Sequence, residues 1–211
     1  MKFSITLLAL AISATAAIVP TASAQTADVS MTGRIFPGAC TLSLGSDGIA
    51  DLGDIRAETL NQDAETRLAT ASLPLDVTCE SNVRFALEGT DNTGSSDNPT
   101  LYGLGMTPAD ERIGRISIHL ANYTTSTQFA YYTYSTDNGM NWSNSLPNAA
   151  AIRPDRMAGF TGTSNSSAGP AAIRFVRGNL ELQPTIRPAS ELTLTEDVQI
   201  NGNVTLSLTY L

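Results

Sequence analysis

Lysine is nearly absent from this sequence: Lys2 is the only one, and histidine (His119) and tryptophan (Trp142) also occur once each, beside two cysteines, Cys40 and Cys79. Each shortage excludes something. Beyond the first 24 residues the charge is carried by 11 arginines against 20 acids, a balance of about −9. A nucleic-acid partner is therefore not expected, since phosphate binding needs a cationic face that releases counterions. Polymers sealed by lysine isopeptide bonds are excluded for want of lysine. One histidine and two cysteines leave no zinc ligand set once the cysteines bridge. No serine or cysteine nucleophile stands in a motif near His119, and the acids are scattered singly, so no hydrolase pair is evident. The expectation is a non-enzymatic protein without metal or cofactor.

The one long apolar run lies at the start. "MKFSITLLALAISATAAIVPTASA" has basic Lys2, an apolar centre from Leu7 to Val19 and an Ala22-Ser23-Ala24 cleavage site. It reads as a signal peptide over residues 1–24, with Gln25 as the mature N-terminus. Export to an oxidising compartment then makes a Cys40–Cys79 disulfide the expected fate of an even cysteine count.

Helical periodicity is scarce as well, while period-2 alternation bounded by Gly, Pro, Asn and Asp recurs throughout. The predicted strands are Val29–Phe36, Cys40–Leu44, Leu73–Cys79, Val83–Glu88, Ile113–Ala121, Phe129–Ser135, Ala171–Arg177, Glu191–Leu194, and Val198–Tyr210 with a break at Asn201-Gly202. A short helical turn is placed near Arg56–Asp63. "GTDNTGSSDNPT" and "GTSNSSAGP" read as loops. The pattern predicts an all-β sandwich, one domain enlarged by loop insertions.

Three stretches invite chemistry. In "RISIHLAN", alternation puts His119 on the face opposite Ile116, Ile118 and Leu120, as a surface strand residue. "DNTGSSD" offers oxygens to a cation but lacks calcium-loop spacing, and reads as a solvated turn. "STDNGMNW" resembles the Asp-box of sialidases, yet it occurs once and describes a hairpin, with Gly139 supplying positive φ and Trp142 covering the turn. "FAYYTYS" puts aromatics on both sides of a strand, which makes Tyr132, Tyr134 and Trp142 a candidate glycan-stacking surface or a cluster beneath an insertion.

The two ends complete the reading. In "QTADVSMTGRIFPGAC", Ala27, Val29, Met31, Gly33 and Ile35 share one face of an extended segment, and at the other end Val204, Leu206, Leu208 and Tyr210 form a second apolar stripe. The leader, the "VSMTGRI" segment, a cysteine soon after it, a second in "PLDVTC", and a penultimate tyrosine together resemble a subunit of the Gram-negative chaperone-usher fimbriae. "YGLGMTPADERIGRISIHL" followed by "STDNGMNW" resembles a narrower family of exported, fimbria-associated proteins. Val198 departs from the resemblance, standing where many such subunits have glycine.

The resemblance implies an immunoglobulin-like sandwich over residues 40–211 that is incomplete by one strand, in the manner of pilins. Residues 25–39 would be an N-terminal extension carrying the donor positions Ala27, Val29, Met31 and Gly33. The acceptor edge would be Val204, Leu206, Leu208 and Tyr210. A periplasmic chaperone would fill the groove first, and at an outer-membrane usher a neighbouring subunit's extension would replace it, building a head-to-tail fimbria at the cell surface. The alternative is a secreted sandwich that completes itself and binds a host or environmental glycan through the aromatic surface.

Overall fold

A computed structural model describes residues 38–147 and 150–211, which belong to one compact unit, Phe36–Leu211. The predicted leader, the predicted strand Val29–Phe36 and the donor positions Ala27, Val29, Met31 and Gly33 lie outside the described residues. Alternation in the sequence becomes two antiparallel sheets. The larger contains β1 (Cys40–Leu44), β2 (Thr66–Arg67), β3 (Ala71–Val83), β5 (Tyr102–Gly103), β6 (Gly114–Thr125), β8 (Ala150–Ile152) and β10 (Ile173–Ile186). Its main path runs β1-β3-β10-β6-β5, with β2 on β10 and β8 on β6. The smaller sheet runs β11-β4-β9-β7, from β4 (Phe85–Asp91), β7 (Tyr131–Ser135), β9 (Met157–Thr161) and β11 (Val204–Tyr210). The fold is an all-β sandwich.

Its core is made by the inward positions of both sheets. Leu73, Leu75, Val77 and Cys79 of β3 are buried at every second residue, as period-2 geometry requires. Pro74 falls on the outer face, opposite Asn179 and just past the end of β1, whose last pair is Leu44 with Leu75; it is spared a ladder bond to β1 there. From the smaller sheet come Phe85, Leu87 and Phe160, each 1% exposed or less. Gly89 of β4 makes room for the ring of Tyr102: a Cβ there would stand 1.9 Å from the phenol oxygen.

β6 changes phase partway. Ile116, Ile118 and Leu120 point inward, but the next inward residues are Tyr123 and Thr125. The switch is a bulge: Arg177 pairs with Thr124 and Asn179 with Ala121, leaving Asn122 and Tyr123 opposite Gly178 alone. Asn122 takes φ 50°, a region Asn enters more readily than most residues. Tyr123 thereby reaches Phe160 edge-on, with centroids 5.4 Å apart.

Several sequence expectations need correction. The segment Glu191–Leu194 is not a strand: its start closes a 3₁₀ turn, Ala189–Glu191, and Thr193 is held by the Glu111 carboxylate rather than by a ladder. The last strand begins at Val204, not Val198, and β10 continues nine residues past Arg177 to Ile186. β9 had no counterpart among the predicted strands. The helical turn expected near Arg56–Asp63 is a 3₁₀ turn at Ala57–Thr59.

Candidate functional site

β11 pairs along its whole length with β4, from Val204 opposite Asp91 to Tyr210 opposite Phe85. It is the terminal strand of its sheet, so among the described residues its second side has no strand partner. Val204, Leu206, Leu208 and Tyr210 share the inward face and pack against the core, yet none is fully buried. Beside the first half of β11 lies a groove of about 1340 Å³.

The groove floor is the inner face of the larger sheet: Leu73 of β3, Ile116 and Ile118 of β6, and Leu180, Leu182, Pro184 and Ile186 of β10. Val204 and Leu206 form one wall. The segments around Ile49–Leu60 and Leu192–Ile200 form the margins, and they bring in Asp51, Asp54, Glu196 and Asp197 against a single arginine, Arg56. An apolar floor under an acidic rim is thus built from strands distant in sequence. Leu182 shares the inward parity of Leu180 and Ile186 but lines the groove and remains partly exposed.

The acceptor residues read from sequence divide into two pairs. Val204 and Leu206 line the groove; Leu208 and Tyr210 do not. The Tyr210 hydroxyl accepts a 2.9 Å hydrogen bond from the Cys40 backbone N–H, which joins the end of β11 to the start of β1 and closes that end of the sandwich. Cys40 and Cys79 are directly opposite in the β1–β3 ladder and form the expected disulfide. The staple therefore fixes the strand on which Tyr210 rests.

The aromatic surface is not assembled. Tyr132 is 4% exposed and gives its hydroxyl proton to the Ala151 carbonyl. Burial pushes its phenol up to about 12. Tyr134 stacks on Tyr132 at 5.8 Å and pairs with the core residue Ala158, so it faces inward, under the Arg156 guanidinium at 4.3 Å. Trp142 lies on the other face of that sheet, against Gly159 and Gly169. The cause is alternation: Thr133 and Gly159 are a cross-strand pair on Trp142's side, one residue out of phase with Tyr134 and Ala158. These three rings cannot stack on one sugar.

The remaining motifs are structural. Asp137 accepts from Ser135 Oγ, from Asn141 N–H and from the Asn141 side-chain amide, Gly139 has φ 83°, and Trp142 Nε1 donates to the Gly139 carbonyl. The Asn141 and Ser135 hydrogen bonds hold the Asp137 carboxyl at about 2. In "DNTGSSD", Asp91 accepts from Thr93 and from Gly103 N–H, tying the loop to β5. His119 sits outward on β6, between Glu181 and Ala151. Among the described residues no group of three or more His, Cys, Asp or Glu side chains is arranged to hold a metal ion, and no helix is long and apolar enough to cross a membrane.

Residues 29–98 match a family described as "Protein of unknown function (DUF1120)". The chain is also similar to Protein GltF of Escherichia coli (strain K12), at 25% identity over 227 aligned positions that cover 87% of this chain and 88% of that protein. The family match includes both cysteines and β1 to β4, whereas most of the groove floor, on β6 and β10, and its β11 wall lie outside it.

Proposed function

We propose that the protein is a non-enzymatic subunit of a surface fimbria whose sandwich is completed by a strand from outside residues 40–211. The observation that carries this reading is the groove beside β11: an apolar floor, a strand edge that the described residues pair on one side only, and a lining drawn from both sheets. An added strand would gain backbone hydrogen bonds from β11 and bury alternate side chains on Leu182, Leu180 and Ile118. Each large apolar side chain so buried is worth about 2 kcal/mol. In this reading the site is an acceptor and not a pocket for a small molecule.

The sequence itself contains a matching alternation. Ala27, Val29, Met31, Gly33 and Ile35 alternate on one face, and Arg34 is the segment's only cation. The acidic rim of Asp51, Asp54, Glu196 and Asp197 complements that arginine. The occupant in the assembled fimbria is the extension of a neighbouring subunit. Before assembly a periplasmic chaperone holds the groove, and an outer-membrane usher is the site of exchange. The leader supplies the route to the periplasm.

The test is a chain beginning at Gly38, directed to the periplasm and titrated with a synthetic peptide of residues 25–36. Saturable binding, a melting temperature raised by several degrees as binding linkage requires, and weaker binding of an Arg34→Glu peptide at low salt are expected. A shortened chain that melts like the mature protein and ignores the peptide would refute the acceptor reading. The glycan-binding alternative loses its aromatic surface, since Trp142 and Tyr134 lie on opposite faces of the sheet.

A further inference from the structure

The bulge that turns Tyr123 inward has a second effect on the opposite face of the larger sheet, away from the groove. Four strands there present one polar cross-strand row: Ser43 of β1 pairs with Asp76 of β3, Asp76 with Arg177 of β10, and Arg177 with Thr124 of β6. The next row holds Pro74 and Asn179, and the bulge adds Asn122. Together they line an open depression of about 560 Å³.

Two features distinguish this patch from an ordinary hydrated sheet face. First, its arginine has three partners: Arg177 Nε donates to Asp76 Oδ2, one terminal nitrogen donates to Thr78 Oγ1 at 3.2 Å, and the guanidinium lies 4.9 Å from the centre of the Phe175 ring. Second, the amides of Asn122 and Asn179 make no hydrogen bond within the described residues, although one of them sits on a backbone held at positive φ. Gly178 is needed to bring the strands this close, since a Cβ there would meet the Ala121 carbonyl and Tyr123 Cβ at 2.9 Å. Two irregularities of backbone thus converge on amides that face the solvent, the setting in which bulges re-aim side chains.

We propose that this depression binds a neutral saccharide. Sugar hydroxyls both donate and accept, and the patch offers both kinds of partner: amide and guanidinium N–H groups as donors, with Asp76, the amide carbonyls and the Ser43 and Thr124 hydroxyls as acceptors. The Pro74 ring gives an apolar wall for the C–H face of a pyranose. Asp76 and Arg177 cancel each other's charge, and a chain carrying about −9 overall disfavours an acidic sugar. The inference does not depend on the groove, because the two sites lie on opposite faces of the same sheet.

An array of neutral and sialylated oligosaccharides probed with the full mature chain tests it, followed by calorimetry on the retained sugars. Neutral sugars are expected to be retained, and Asn179→Ala to weaken them about tenfold or more, with the melting temperature unchanged. Asn122→Gly keeps the left-handed backbone while removing the amide, and is expected to act in the same direction; Asn179→Ala stands outside the bulge and serves should that variant fold poorly. No retention overturns the proposal. So does retention of sialylated sugars only, retention unaffected by both variants, or retention abolished by Trp142→Ala instead.

Discussion

The two flanks of the smaller sheet are treated in opposite ways. At β9 and β7 most of the surface is covered: all five residues of β9 and three of the five of β7 are buried, with Ala158 and Phe160 in the core and Gly159 lying beneath Trp142 and Pro170. The edge of β7 is itself occupied, since Tyr132 exchanges both backbone hydrogen bonds with Leu146 and Tyr134 accepts from Ser143 N–H. At β11 the inward stripe is only partly buried and the described residues add no strand beyond it. Exposed strand edges are a hazard that chains normally suppress. The turn "STDNGMNW" brings Ser143 and Leu146 back onto one of these edges, whereas the described residues place only an apolar groove beside the other, which is why the β11 flank is read as a place of assembly.

Breaking the staple should have the largest effect. Replacing Cys40 and Cys79 together by alanine releases a 39-residue loop, and chain entropy puts the loss at about 4 kcal/mol. It should appear as a lowered urea midpoint. The open flank should loosen first, because Cys40 N–H is the donor to Tyr210. Hydrogen exchange at Leu208 and Tyr210 that rises before exchange at Phe160 is the expected order; simultaneous release would erase the distinction between flanks.

Leucine truncation sharpens the same comparison. Leu87 is fully buried between the sheets, so Leu87→Ala is expected to cost about 3 kcal/mol in the isolated chain. Leu206, on the groove wall, already meets solvent, and Leu206→Ala should cost about 1 kcal/mol. In the presence of the residue 25–36 peptide the order changes in kind: Leu206→Ala should weaken binding, and Leu87→Ala should shift stability while leaving affinity nearly intact. Equal costs for the two leucines in the isolated chain would mean that the groove is closed in solution.

The sandwich was legible where one face of a strand is buried and the other wet. Cys40–Leu44 and the buried stripe of β3 follow directly from alternation, and so does the outward position of His119. β9 was not legible, because "MAGFT" is buried on both faces and so shows no alternation. The second half of β10 was hidden by Gly178 and Pro184, each of which reads as a breaker. In the structure Gly178 permits the bulge and Pro184 still gives its carbonyl to Leu68 N–H. For the site, the β11 stripe was visible, but the floor was not: Leu73, Ile118 and Leu182 come from three strands whose adjacency is a matter of topology. Trp142 and Tyr134 are eight residues apart and belong to one hairpin, yet the chain folds Trp142 back over the outer face, which no local pattern records.

The smallest effect concerns the closed flank, and it is set by pH. Asp137 is depressed from the ordinary 3.8 to about 2, first by the Asn141 side-chain amide, then by Asn141 N–H and Ser135 Oγ. Since the folded value lies below the unfolded one, the carboxylate's contribution to the turn is complete above about pH 4 and is lost as the pH falls toward 2. Trp142 is the only tryptophan and donates to the Gly139 carbonyl inside this turn, so its fluorescence reports the turn alone. Between pH 4 and pH 2 the emission of the native protein is expected to shift, with a midpoint near pH 2, while Asp137→Asn shows no such transition. The difference in melting temperature between the two proteins should shrink over the same interval. A midpoint near pH 4 would mean that Asn141 and Ser135 do not hold the carboxylate, and that Trp142 and Pro170 cover the closed flank without help from the turn.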